Sequence, residues 1–90
     1  MRSVHTDGYN AVLEALTAAR QRAGLSQQEL AARLRRPQSF VSKYENGERR
    51  IDVAEFILLM RVLGEDPGAA FAEILAASPF VKNARPKRSR

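Results

Sequence analysis

The sequence predicts an all-α domain of five helices. Three observations carry that prediction. Apolar residues recur at helical spacing almost throughout, no stretch shows the period-two alternation of a half-buried strand, and glycines or prolines stand where successive apolar patterns break off. At 90 residues there is room for one small core with short tails. The expected division is an N-terminal extension over 1–8, a folded domain over 9–81 and a basic tail over 82–90.

The first helix is expected from about Tyr9 to Ala23, with Val12, Leu13, Leu16 and Ala19 or Ala23 on one face and Gly24 as a left-handed stop. The second follows at once. Ser26 and Glu29 have the spacing of a capping box, and Leu25 with Leu30 that of a hydrophobic staple. This helix runs to about Leu34, burying Leu30, Ala31 and Leu34, until Pro37 interrupts it and opens the third. On a wheel of about 100° per residue, the third helix separates into two sides. Phe40, Val41 and Tyr44 make the apolar side, while Gln38, Ser39, Ser42, Lys43 and Asn46 make a polar side with only one charge. Asn46-Gly47 ends the helix, and Glu48-Arg49-Arg50 form an exposed loop.

The fourth helix is expected over Val53 to Leu63, capped by Asp52 with Glu55 three residues on and stopped by Gly64. Phe56, Ile57, Leu59, Met60 and Leu63 form its core-facing arc, and Leu58 and Val62 a second apolar stripe on the opposite side. That stripe is covered either by the first or fifth helix or by a second copy of the chain. The fifth helix starts at Asp66 with Pro67 in its first turn, packs Phe71, Ile74 and Leu75, and ends before Pro79. From Lys82 onward the chain is expected to be disordered, because KNARPKRSR has too little apolar surface to offset ordering entropy.

The net charge of +5 comes from 15 Lys and Arg against 10 Asp and Glu. Its distribution says more than its total. Residues 1–25 carry +1, 26–50 carry +3, 51–81 carry −4 and 82–90 carry +5, so residues 1–81 sum to zero. A basic tail can track phosphates or simply be solvated, so the total charge alone does not decide for nucleic acid. The absence of Cys excludes disulfide scaffolds, thiolate metal sites and Cys nucleophiles, and the single His5 cannot make a metal cluster. With no Gly-rich phosphate loop and no catalytic carboxylate motif, neither an enzyme nor a cofactor is expected. No apolar run is long enough for a membrane span, and a cytoplasmic location is expected.

Two short helices joined by a tight turn, the second polar on one side, have the arrangement of a helix-turn-helix, whose second helix enters the major groove of B-DNA. In that geometry Gln38, at the first exposed position of the third helix, can take the N6 donor and N7 acceptor of adenine together. Ser39 and Ser42 can bond a base edge or a phosphate, Lys43 reaches either, and Arg49 and Arg50 suit the flanking backbone. A solvated helix in any bundle is also polar on one side. What favours DNA is the capping box, turn length, Gln-Ser opening and Glu-Asn-Gly stop occurring in one register. Phe40 either buttresses the core edge or contacts a thymine methyl group.

The segment LSQQELAARLRRPQSFVSKYENGERRI, residues 25–51, closely resembles the helix-turn-helix of phage Cro and repressor proteins, the Xre family, and residues 9–77 fit that family's five-helix, lambda-repressor-like domain. The family pattern is met by Leu25, Ser26, Gln27, Leu30 and Ala31, then by Gln38, Ser39, Val41, Ser42, Glu45 and Gly47. The resemblance implies that Gln27 braces Gln38 and touches a phosphate, that Gln38 and Ser39 read bases, that Asn46 meets a phosphate, and that Arg20 pairs structurally with Glu45. It departs at the turn, where Leu34-Arg35-Arg36-Pro37 replaces Leu-Gly-(Val or Ile)-Ser. Arg35 then has to take the left-handed conformation of the missing Gly at some strain cost, and both Arg35 and Arg36 are candidates for phosphate contacts or for plain solvation. The resemblance also implies a homodimer pairing through Leu58, Val62 and Phe71 of the fourth and fifth helices. The expected function is a bacterial or phage-type, nucleoid-associated transcriptional repressor of a palindromic operator on double-stranded DNA. The alternatives are an antitoxin or interaction module whose partner, such as a toxin, binds the fourth and fifth helices, and a generic nucleoid-like binder driven by the tail.

Overall fold

The computed structural model describes residues 7–77; the expected basic tail over 82–90 and His5 lie outside the described residues. The described residues form α1 (Asp7–Arg22), α2 (Gln27–Leu34), α3 (Gln38–Glu45), α4 (Val53–Val62) and α5 (Pro67–Ala76), with no strand among them. The first helix begins two residues earlier than the apolar pattern indicates, because Gly8 is already buried against the core and Asp7 places an acidic side chain in the first turn, where the helix dipole favours it.

The boundaries follow from local chemistry. Ser26 Oγ accepts from the Glu29 N–H at 3.0 Å while Glu29 Oε1 accepts from the Ser26 N–H at 2.8 Å, so two donors at the start of α2 are satisfied reciprocally. Asp52 and Glu55 repeat the arrangement at the start of α4, at 2.7 and 3.0 Å. At the other ends, α1, α3 and α4 stop on Gly24, Gly47 and Gly64, each with positive φ. In α1 the amide of Gly24 reaches the Gln21 carbonyl and that of Leu25 the Arg20 carbonyl, the paired bonds of a Schellman ending. The same pair closes α2, from Arg35 to Ala32 and from Arg36 to Ala31. There the left-handed position is filled by Arg35, at φ 59° and ψ 44°, as the missing turn glycine requires.

Leu13, Leu16 and Ala19 of α1 lie at the centre of a single core, which takes Leu30 and Ala31 from α2, Phe40, Val41 and Tyr44 from α3, Phe56, Leu59 and Met60 from α4 with Leu63 after it, and Ala70 and Ile74 from α5. α1 packs against α3, α4 and α5, while α2 packs on α3. Leu34 and Val62 are half-buried and pack on this core. Three expectations are corrected. Ile57 does not face the core but is 40% exposed, and Phe71 and Leu75 are 55% and 53% exposed. The reason is the narrowness of the buried seams. The three core residues of α4, with Leu63 just after it, span only about 100° of the helix circumference, which leaves Ile57 on its flank, and α5 reaches the core through Ala70 and Ile74 alone.

Candidate nucleic-acid interface

α2 and α3 are joined by Arg35-Arg36-Pro37, and α3 presents its first turn outward. Val41 and Tyr44 are fully buried and Phe40 nearly so, which fixes the rotation of the short helix about its axis. With the apolar side pinned, Gln38, Ser39, Lys43 and Asn46 are exposed and Ser42 is half-buried. The burial of Phe40, edge-on to Tyr44 at 5.4 Å between ring centroids, places it at the core edge rather than at a base.

Behind this surface runs a chain of polar contacts that begins in α1. Arg20 grips Glu45 with two bonds, Nε to Oε2 at 2.8 Å and Nη2 to Oε1 at 3.0 Å, and its Nη1 donates to the Leu25 carbonyl at 2.8 Å. Both side chains of this pair are largely shielded from solvent. The hydrogen bond to Glu45 is the main reason the Arg20 pKa is raised, so the guanidinium stays charged. An ionised carboxylate only accepts, so Gln27 has to turn its amide nitrogen toward Glu45, and Nε2 donates to Oε1 at 2.9 Å. That leaves Gln27 Oε1 facing α3, where Gln38 Nε2 donates to it at 3.4 Å. Gln38 retains its carbonyl oxygen and a second amide hydrogen for a ligand, the acceptor and donor that an adenine edge requires. Farther along α3, the Ser42 hydroxyl donates to the Ser39 carbonyl at 3.3 Å, while its lone pairs and the whole Ser39 hydroxyl stay open.

The arginines divide into two kinds. Arg35 and Arg36 are exposed and make no ion pair with any described residue. Arg49, expected from the sequence at the DNA backbone, is held by Glu55 through both terminal nitrogens, at 3.0 and 2.9 Å, and donates to the Arg50 carbonyl at 2.8 Å. Those bonds hold the Glu55 carboxyl below the usual range, with the Asp52 amide and the Arg36 charge adding to the effect. Arg50 stacks over Tyr9 at 4.3 Å. Sequence reasoning saw Glu55 only as part of a cap. The available signal was the six-residue spacing between Arg49 and Glu55 across a loop, which becomes a contact only when the loop's path is known.

Five helices, with α3 braced against α2 and facing outward, define a helix-turn-helix DNA-binding protein. A helix-turn-helix family model matches residues 16–69, more than half of the chain. Among solved structures, the chain is 54% identical to the XRE-family like protein from Pseudomonas syringae pv. tomato str. DC3000, with a TM-score of 0.74 over 80% of this chain and 88% of that one. Two structures of the clp gene regulator ClgR from Corynebacterium glutamicum share the fold at lower identity. One has 21% identity and a TM-score of 0.67 over 78% of this chain and 74% of that one. The other has 20% and 0.68 over 84% and 97%. No curated protein matches the chain. The chain belongs to the XRE-type helix-turn-helix family of DNA-binding transcription regulators, which act by binding rather than by catalysis. No helix among the described residues is long and apolar enough to cross a membrane.

Proposed function

We propose that the protein is a homodimeric, sequence-specific repressor that occupies a palindromic operator through the major groove. In this reading Gln38, Ser39, Ser42 and Lys43 meet base edges, while Gln27, Arg35, Arg36, Asn46 and Arg50 meet the phosphate backbone. One observation supports it most. The Gln38 amide stands exposed at the start of α3 and is tied through Gln27 and Glu45 to Arg20, so the reading group is oriented before DNA arrives. Preorganisation of this kind reduces the ordering cost of binding. The homodimer is supported by the exposed apolar residues Leu58, Phe71 and Leu75 on α4 and α5. The same surface favours a second reading, in which a different protein such as a toxin covers it; a stable complex with such a partner in place of self-association is its signature.

Selection of bound sequences from random duplex DNA tests the proposal. The expected product is a palindrome with half-sites about 34 Å apart, or a multiple of that spacing. Enrichment of a lone half-site contradicts the dimeric reading, and absence of any enrichment contradicts sequence-specific recognition. Gln38→Ala is expected to cost about 1–3 kcal/mol at the selected site and little on unrelated duplexes. A uniform loss on every sequence demotes Gln38 to a backbone contact.

A further inference from the structure

Four side chains from four segments meet beside α3. The guanidinium carbon of Arg36, in the turn, lies 4.5 Å from the centroid of the Phe40 ring, and that of Arg49, in the loop after α3, lies 4.8 Å from it. Glu55 of α4 holds Arg49 in place. Both cations are within the roughly 6 Å reach of an aromatic quadrupole. They differ in what else engages them. Arg49 has its charge paired by Glu55 and both terminal nitrogens committed. Arg36 is exposed and makes no ion pair or side-chain hydrogen bond with any described residue.

The ring itself is held by packing. Phe40 is buried to 9% exposure and braced edge-on by Tyr44 at an interplanar angle of 66°. A guanidinium near a fixed ring loses part of its rotamer freedom before any ligand binds, while its N–H donors remain free for an anion. Arg36 stands two residues before Gln38, beside the end of α3 that would enter the groove, where the backbone of the groove edge passes.

We infer that Arg36, held against the Phe40 ring, is a preformed site for a phosphodiester oxygen at the edge of the major groove, and that Arg49 is a positioning residue which steadies the same ring rather than a phosphate ligand. The inference rests on the reading of α3 as the DNA-contacting helix. It gives Phe40 a role in DNA affinity without a DNA contact of its own.

The test is binding of the full chain to a mixed-sequence B-form duplex over a range of salt concentrations. Arg36→Gln is expected to reduce the slope of log K against log salt by about one per protomer. Arg36→Lys keeps the slope but binds about threefold more weakly, since an ammonium cannot present a planar face to the ring. Arg49→Gln leaves the slope unchanged. Phe40→Leu weakens binding when Arg36 is present and adds no loss to Arg36→Gln, a coupling that a merely structural ring would not produce. The inference is overturned by an unchanged slope for Arg36→Gln, by wild-type affinity for Arg36→Lys, by additive losses in the cycle, or by a slope reduced by one for Arg49→Gln. Should Phe40→Leu not fold, Arg36→Lys still decides the matter. Failure of the underlying reading looks different: wild type then does not bind duplex, or Gln38→Ala is without effect on selected sites.

Discussion

Tyr44 is fully buried, and its hydroxyl finds no hydrogen-bond partner among the described residues. Burial, with the nearby Glu45 charge, pushes its pKa up, and Arg20 only partly opposes the shift, so the group stays neutral. An unpaired buried hydroxyl costs about 1–3 kcal/mol. Tyr44→Phe is therefore expected to match or exceed wild-type stability by about 1 kcal/mol in urea unfolding; a loss of that size instead reveals a partner for the hydroxyl. Glu55 sets a pH dependence. Its carboxyl is depressed, first by the hydrogen bonds from Arg49 and then by the Asp52 amide, and that of Glu29 is depressed by Ser26. A depressed carboxyl contributes stability above its ordinary value of about 4.5, and the contribution is lost as pH falls through the lower folded-state value. The melting temperature is expected to be level above that pH and to fall below it. In Glu55→Gln the fall is shallower; an equal fall removes Glu55 as its source.

Among the elements, α2 carries the clearest strain. Arg35 is the one non-glycine residue with positive φ among those described, in a conformation that costs an L-residue about 1–2 kcal/mol. Arg35→Gly relieves it but adds unfolded-state entropy, so the expected net gain is about 0.5–1 kcal/mol, read as a higher midpoint in urea with unchanged m-value. A lower midpoint means that the Arg35 side chain contributes more than its backbone costs. This strained turn was legible in the sequence, as were the caps at Ser26 and Asp52 and the stop at Gly24, because each depends on residues within a few positions of one another. What was not legible depends on a neighbour. Helical spacing tells which residues of α4 and α5 share a face, but the width of the seam that other helices cover decides whether Ile57, Phe71 and Leu75 are buried. The Arg49–Glu55 pair needed the course of a loop. Arg20 and Glu45 stand 25 residues apart, so only family resemblance joined them beforehand.

At the scale of the molecule, α2 and α3 put polar and cationic groups on one side, and α4 and α5 put apolar ones on another. Val53, Ile57 and Phe71 flank a shared apolar groove there, and Leu75 follows Phe71 one turn on. The proposed dimer uses this side, with Phe71 more available to a second copy than the half-buried Val62. Phe71→Glu is expected to leave the melting temperature of the monomer nearly unchanged, since the side chain is not part of the core, and to abolish self-association in sedimentation at micromolar concentration. Unaltered sedimentation excludes this face. The braced amide at the head of α3 also bears on how such a protein changes its target. Gln38 hangs on the network by a single 3.4 Å bond at its outer end, while the Arg20, Glu45 and Gln27 contacts close among themselves. On the proposed reading, a gene duplicate could exchange Gln38 for another side chain and acquire a different operator in one step, with the scaffold that presents it inherited intact.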